Sequence, residues 1–391
     1  MNEKWPRRLL GELLEVQNGF AFDSKKFAPS GGMPLIRIRD LKSGVGTQTN
    51  FLGDYREEFV VRRGDLLIGM DGDFGCYEWR GEAALLNQRV CRLRNFSAKL
   101  LPRFLYYGLD SHLKAIEDAT TFTTVKHLSS KQIRSIDFPV PPLPEQERIV
   151  RFLDEALPLV DAVKAHAATS KGLARDMFLV RRDELLRNDD QALNFGPLND
   201  YCEGILTGPF GSTLHKSDYS VDGVPLINPA NIEDGDLVAD PRKCVAPEKA
   251  LQMGRYRVRV GDVLVGRRGE IGRCGVVRDA QQGWLCGTGC FIVRPGPSLD
   301  PDYLAHMLRS SRCRNLLASA AGGTTMANLG NRDLAELIVH IPAVDRQVKT
   351  VRDLQRLDRE SEALVDLAQE KIRLGEDLRV AVLDNAFGRG V

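Results

Sequence analysis

The sequence predicts an α+β protein of two β-rich domains in tandem repeat, each followed by a long helix, with the two helices pairing as an antiparallel coiled coil. Three observations predict it: an internal repeat, a change of hydrophobic period after each copy, and heptads in both segments where the period changes. PLIRIRDL, from Pro34, returns as PLINPANI, from Pro225, an offset of 191. RRGDLLIGMDGDFG, from Arg62, returns as RVGDVLVGRRGEIG, from Arg259, an offset of 197. TTVKHLSSKQIRSIDFPVP, from Thr123, returns as TTMANLGNRDLAELIVHIP, from Thr324, an offset of 201. Constant order with a slow drift is what loop insertions in a duplicated unit produce. The predicted domains are residues 1–142 and 191–342; the predicted helices are 143–190 and 343–391.

Within each repeat, Gly64-Asp65 before Leu66-Leu67-Ile68-Gly69, and Gly261-Asp262 before Val263-Leu264-Val265-Gly266, read as turns feeding short buried strands. After each β-rich segment the period changes to that of a helix. Pro144, with Glu145 and Glu147, suits a helix start. Ile149, Ala156, Val163, Ser170 and Met177 recur every seven residues, with Leu153, Val160, Ala167 and Ala174 as a second row. Downstream, Leu354, Ser361, Ala368, Gly375 and Val382 form a row, with Leu357, Leu364 and Leu378 as companions, interrupted by Lys371. Sustained heptads imply supercoiled helices, and the small residues on both seams imply close approach. Pro158 removes a helical hydrogen bond and predicts a bend or interruption there.

Composition narrows the function classes. The net charge of +1 argues against a generally basic nucleic-acid binder. The first β-rich segment carries a surplus of four positive charges and the second none, so nucleic-acid affinity must come from local patches or from partners. No apolar stretch reaches membrane-spanning length and the N-terminus has no signal-peptide core, so a cytoplasmic, non-membrane protein is expected. The eight cysteines include no Cys-x-x-Cys pair. Cys286 and Cys290, read as one strand, would stand roughly 13 Å apart, too far to bridge. There is no phosphate-binding loop of either common type. The six histidines lack metal-ligand spacing. Asp65, Asp71 and Asp73 form a carboxylate group that a metal would suit, but the repeat replaces them with Asp262, Arg268 and Glu270, which favours turn capping. Neither a catalytic site nor a metal or cofactor of the chain's own is expected.

The junction PVPPLPEQERIVRFLDE (139–155) resembles the segment that links a target recognition domain to a conserved helix in the specificity subunits of type I restriction–modification systems. NGFAFDSKKFAPSGGMPLIRIRDLKSG (18–44) and GPFGSTLHKSDYSVDGVPLINPANI (208–232) are similar to the starts of such domains. The resemblance covers essentially the whole chain, in the order domain, helix, domain, helix. It departs at IPAVDRQVKTVRDLQ, which keeps Gln347 opposite Gln146 but lacks the proline–glutamate pair, and at Pro158. The resemblance implies a non-catalytic subunit that reads a bipartite site in double-stranded DNA, one half per domain, with the helices fixing the separation. It also implies two methyltransferase subunits that bind S-adenosylmethionine, and motor–endonuclease subunits that use ATP and Mg. The rival reading is a helical scaffold that organises proteins without touching DNA.

The DNA-contact candidates are basic and polar side chains in matching loops: Lys25, Lys26, Asp71, Gln88, Arg89, Ser212, His215, Lys216, Asn228, Asn231, Arg267 and Arg268. Arg37 and Arg39 alternate with Ile36 and Ile38, and Arg255, Arg257 and Arg259 with Tyr256, Val258 and Val260, so strands there would line up guanidinium groups on one face. Phosphate contact and a solvated strand face are both compatible with that pattern. Thr123, Thr124 and Lys126, and Thr324 with Thr325, suit phosphate contact or helix capping. Asp71 and Arg268 occupy aligned loop positions with opposite charge, as two half-sites of different sequence would require.

Overall fold

In the computed structural model the described residues are 5–119, 127–187, 194–209, 213–221, 223–233, 235–321 and 328–388. They form two compact units: residues 1–166 with 371–391, and residues 167–370. Both are organised around the same antiparallel four-stranded sheet. In the first unit the order is Glu15–Asn18, Val90–Arg94, Leu66–Gly69, Cys76–Glu78; in the second it is Cys202–Thr207, Cys290–Pro295, Val263–Gly266, Cys274–Val276. A two-stranded ribbon accompanies each sheet, Arg7–Leu9 with Asp137–Pro139 and Asn194–Pro197 with Ile338–Ile341.

The Gly-Asp-apolar blocks are the third strand of each sheet, buried at every position. Alternate residues face opposite cores. Leu66 and Ile68 join Phe104, Leu105 and Phe138, whereas Leu67 joins Trp79, Leu85 and Val90. In the second unit Val263 and Val265 join Phe291 and Leu304, and Leu264 joins Ile227 and Ile292. A strand covered on both faces needs a continuous apolar run rather than alternation. The glycine before each strand has φ of +92° (Gly64) or +86° (Gly261), a left-handed turn that costs other residues strain. The aspartate after it closes the turn: Asp65 accepts from the Arg62 N–H at 2.8 Å and Asp262 from the Arg259 N–H at 2.9 Å. Each also holds an arginine from the neighbouring strand, Arg92 at 2.9 Å and Arg294 at 3.2 Å. These aspartates are framework.

Each long helix begins beside its own domain. The first runs Leu143–Arg187 as one element with Pro158 inside it, so the proline does not interrupt it; Pro144 is its second residue. The second runs Val344–Ala386. Gln146 and Gln347, both fully buried, make matching bonds. Gln146 Oε1 accepts from the Leu101 N–H at 2.9 Å, and its Nε2 donates to the carbonyls of Lys99 and Pro141, each at 2.8 Å. Gln347 Oε1 accepts from the Asp300 N–H, and its Nε2 donates to the carbonyls of Ser298 and Pro342, all three at 2.8 Å.

The helices pair antiparallel within each unit. In the first, Lys164 meets Glu376 at 3.6 Å and Asp161 meets Arg379 at 3.1 Å. In the second, Lys171 Nζ donates to Gln369 Oε1 at 2.6 Å and Ser361 Oγ to the Ala174 carbonyl at 3.1 Å. One expected row of each helix lies in the seam: Leu153, Val160, Ala167 and Ala174 are buried, as are Leu354, Ala368 and Gly375, with Ser361 half-buried. The companion rows are corrected by one position. Val163, Ser170, Met177, Leu364 and Leu378 are exposed; Leu157, Lys164, Lys171 and Phe178 flank one seam row, and Asp358, Val365, Ile372 and Arg379 the other. A heptad row accepts a partner row three or four residues away, and apolar content pointed to the wrong one. Lysine stems pack in the seam while their charged ends reach polar partners. A Cβ on Gly375 would lie 2.5 Å from Lys164 Cγ, so the small residue there makes room for the lysine.

Replacing Gln146 or Gln347 by Leu should destabilise its unit by roughly 2–4 kcal/mol, because three buried or part-buried backbone groups lose the partners that the amide supplies. Chemical denaturation checks this, and a midpoint unchanged by both variants would contradict it. Burial, then the nearby Arg309, lowers the pKa of His306 from 6.5 to about 3. The folded state therefore keeps a neutral imidazole while the unfolded chain takes up a proton, so this stability is present above about 6.5 and is lost as pH falls toward 3. Melting of wild type and His306→Gln from pH 7 to pH 4 should show a smaller acid destabilisation in the variant.

Candidate nucleic-acid interface

Three loops meet at the end of the buried third strand in each unit. In the first, the Met70 N–H donates to the Arg89 carbonyl at 3.0 Å and the Leu128 N–H to the Met70 carbonyl at 2.8 Å. In the second, the Arg267 N–H donates to the Gly289 carbonyl and the Leu329 N–H to the Arg267 carbonyl, both at 2.9 Å. Backbone bridges pair Asp71 with His127 and Arg268 with Asn328. The repeat thus supplies one backbone frame carrying two sets of side chains. Glycines keep the approach close: a Cβ on Gly19 would lie 2.1 Å from the Asn87 carbonyl oxygen, and one on Gly208 2.0 Å from that of Gly287.

The side chains on the frame differ in charge. In the first unit Asp71 binds Arg89 NH1 at 2.6 Å through Oδ2 and His127 Nδ1 at 2.7 Å through Oδ1. Asp71 is mostly buried, while Arg89 and His127 are more than half exposed. In the second unit no carboxylate stands at the aligned position. Arg268 Nε reaches Asn328 Oδ1 at 3.4 Å, and the Arg267 guanidinium lies over the Phe291 ring, 5.3 Å from its centroid. Arg267 Nε is buried with no hydrogen-bond partner among the described residues. Burial, reinforced by Arg268, depresses the Arg267 pKa below its ordinary value.

The structure brings Asp71 and Arg89 together, beside exposed Gln88, and places Arg267 with Arg268. It adds His127 and Asn328, which sequence reasoning passed over. Their signal was the third repeat block, where both lie at an offset of 201. Thr123, Thr124, Lys126, Ser212, Thr324 and Thr325 lie outside the described residues, as does the side chain of Lys216.

Other candidates are corrected. Arg37 and Arg39 do not share a strand: the strand is Met33–Ile36, and Ile38–Leu41 is a helical turn. Apolar alternation misread this helical turn because Asp40 folds back to accept from the Arg37 N–H at 2.9 Å. Arg37 is exposed and Arg39 donates to Thr49 Oγ1 at 3.1 Å. The aligned Asn231 is buried, accepting from the Asn228 N–H at 3.1 Å and donating to the Val238 carbonyl at 3.0 Å, so it is framework. Arg255, Arg257 and Arg259 do not line a strand either. Gly254–Tyr256 is a 3-10 turn, Arg255 lies against the Tyr256 ring, and Arg257 NH1 donates to the Gly283 carbonyl at 2.8 Å. Cys286 and Cys290 sit on two strands, Leu285–Cys286 and Cys290–Pro295, rather than one. Asp73 pairs with Lys42 at 3.1 Å, so the three carboxylates near residue 70 have separate cationic partners. Lys25 and Lys26 form an exposed 3-10 turn, and His215 is exposed with its N–H on Asp218 at 2.7 Å.

The family model for the type I restriction modification DNA specificity domain matches residues 2–162 and again 211–370. The chain belongs to that family. The specificity subunit of the type I restriction enzyme EcoBI from Escherichia coli is 30% identical, over 99% of this chain and 86% of its own length. That of EcoKI from E. coli K12 is 21% identical over 91% of this chain and 82% of its own. Among solved structures, a chain from a type I R-M system has a TM-score of 0.74 at 21% identity, covering 99% of this chain and 98% of that one. The HsdS subunit from Thermoanaerobacter tengcongensis has a TM-score of 0.57 at 21% identity, covering 100% and 98%; these two likenesses speak to the fold. A specificity subunit chooses the DNA sequence and is not itself catalytic, and the helical-scaffold reading is not favoured. Among the described residues no helix is long and apolar enough to cross a membrane.

In the specificity subunit, Arg255→Gln with Arg259→Gln should weaken DNA binding about equally for all sequences. The slope of log affinity against log salt should fall by roughly 0.9 per lost phosphate contact. Arg257→Gln should instead lower thermal stability. Loss of preference at a single base pair in the double variant would assign Arg255 or Arg259 to base reading.

Proposed function

We propose that each unit of this specificity subunit reads one half of a bipartite double-stranded DNA site through its three-loop cluster. The observation that carries this reading is a repeated backbone frame with opposite side-chain chemistry: Asp71, Arg89 and His127 in one unit, Arg267, Arg268 and Asn328 in the other. One frame presented twice to a double helix, with different donors and acceptors, specifies two different half-sites.

The long helices hold the half-sites at a set separation and dock two methyltransferase subunits. The first helix has 45 residues, a length of about 68 Å. Outside the seam it exposes Leu159, Val163, Leu173, Met177 and Val180, and the second exposes Leu364, Leu367, Leu374 and Leu378. Solvent-facing apolar rows at helical spacing suit partner helices. S-adenosylmethionine binds on the methyltransferase subunits, ATP and Mg on motor–endonuclease subunits, and the assembly works in the cytoplasm.

Four residues inserted after Ser170, with four after Gln369 opposite, should lengthen the spacer of the methylated motif by one or two base pairs without changing either half-site. Four helical residues add about 6 Å and roughly 40° beyond a full turn, against 3.4 Å and roughly 34° per base pair. Methylation-sensitive sequencing of DNA modified by the complex reads both quantities. Changed half-site bases with an unchanged spacer would show that the helices do not set the separation.

A further inference from the structure

We propose that Arg89 reads a guanine in one half-site and that Asp71 is the positioning residue that aims it. The proposal rests on the reading of the loop cluster as the DNA-contacting surface. Arg89 lies in the turn between the strands Ala84–Leu86 and Val90–Arg94, with its side chain more than half exposed. Among the described residues its side-chain hydrogen-bond partner is Asp71, 2.6 Å from NH1. That bond leaves the edge formed by Nε and NH2, two parallel donors matched to O6 and N7 of guanine in the major groove.

Two features favour a base over a phosphate. The Asp71 carboxylate neutralises the guanidinium, so the pair offers little net charge to a phosphate while keeping its directed donors. Asp71 is itself held at its other oxygen by His127 at 2.7 Å and is only 20% exposed, so it restricts the rotamers of the arginine. An arginine ordered before binding loses less entropy on meeting its base. At the equivalent place in the second unit, Gly289 accepts the frame hydrogen bond that Arg89 accepts in the first, and Arg268 aligns with Asp71. The second half-site is therefore not read by the same device.

The test uses the full subunit assembled with its methyltransferase partner. Arg89→Gln should relax one G·C position in one half-site, with roughly 5- to 150-fold loss of discrimination there, and leave the other half and the spacer unchanged. Asp71→Asn should relax the same position and steepen the salt dependence of binding by about 0.9, because it frees a positive charge. Added to Arg89→Gln, Asp71→Asn should leave the salt slope unaltered, because no guanidinium remains to be freed; a slope that steepens there as well marks an aspartate that acts by its charge alone and overturns its positioning role. A bipartite wild-type motif that Arg89→Gln leaves unaltered overturns the proposal but not the two-half-site reading; a wild-type motif without two halves overturns that reading. Relaxation at an A·T pair, relaxation in both halves, or loss of all methylation assigns Arg89 another role and overturns the proposal.

Discussion

The structure depends most on the buried amide of Gln146 and its repeat partner Gln347. Each uses both donors and its acceptor on backbone groups at the junction of domain and helix. An unmet hydrogen bond is expensive in a dry site, so only one orientation of the helix start satisfies all three. A long helix amplifies any error at its root, and these three bonds fix that root. The second junction lacks the proline–glutamate pair and still makes the same three bonds through Gln347.

A second constraint separates framework from the variable chemistry of the loops. Asp65 and Asp262 close the same turn and hold the same strand arginine, and the strand that follows is buried on both faces. Changes there would propagate through two cores. The loop one residue beyond the strand is free of this burden: backbone bonds at Met70 and Arg267 fix its path whatever the side chains are. Aspartate and arginine can therefore exchange at positions 71 and 268 without disturbing the sheet.

The seam between the helices is less apolar than a heptad reading suggests. Lys164, Lys171, Asp358 and Arg379 occupy companion positions while Val163, Met177, Leu364 and Leu378 face solvent. Polar groups in a seam set register at some cost in stability. Apolar groups on the outer faces remain available to partners. Both features suit the proposed role of the helices as a spacer on which partner subunits dock.

The sequence by itself determined the duplication, the order of domains and helices, the buried third strand, one seam row on each helix and the family. These follow from periodicities and repeats, which are properties of the linear chain. It also placed Asp71, Arg89, Arg267 and Arg268 among the candidates. Only the tertiary structure decided that Asp71 grips Arg89 and His127, that Asn231 is buried and Arg257 bonds the Gly283 carbonyl, and that Arg39 and Arg255 lie on helical turns rather than strands. Alternation in these short segments imitates strands because capping groups such as Asp40 and Asp262, which bend the backbone, act through hydrogen bonds that periodicity does not register. Which side chains converge is set by strand pairing between residues far apart in the chain.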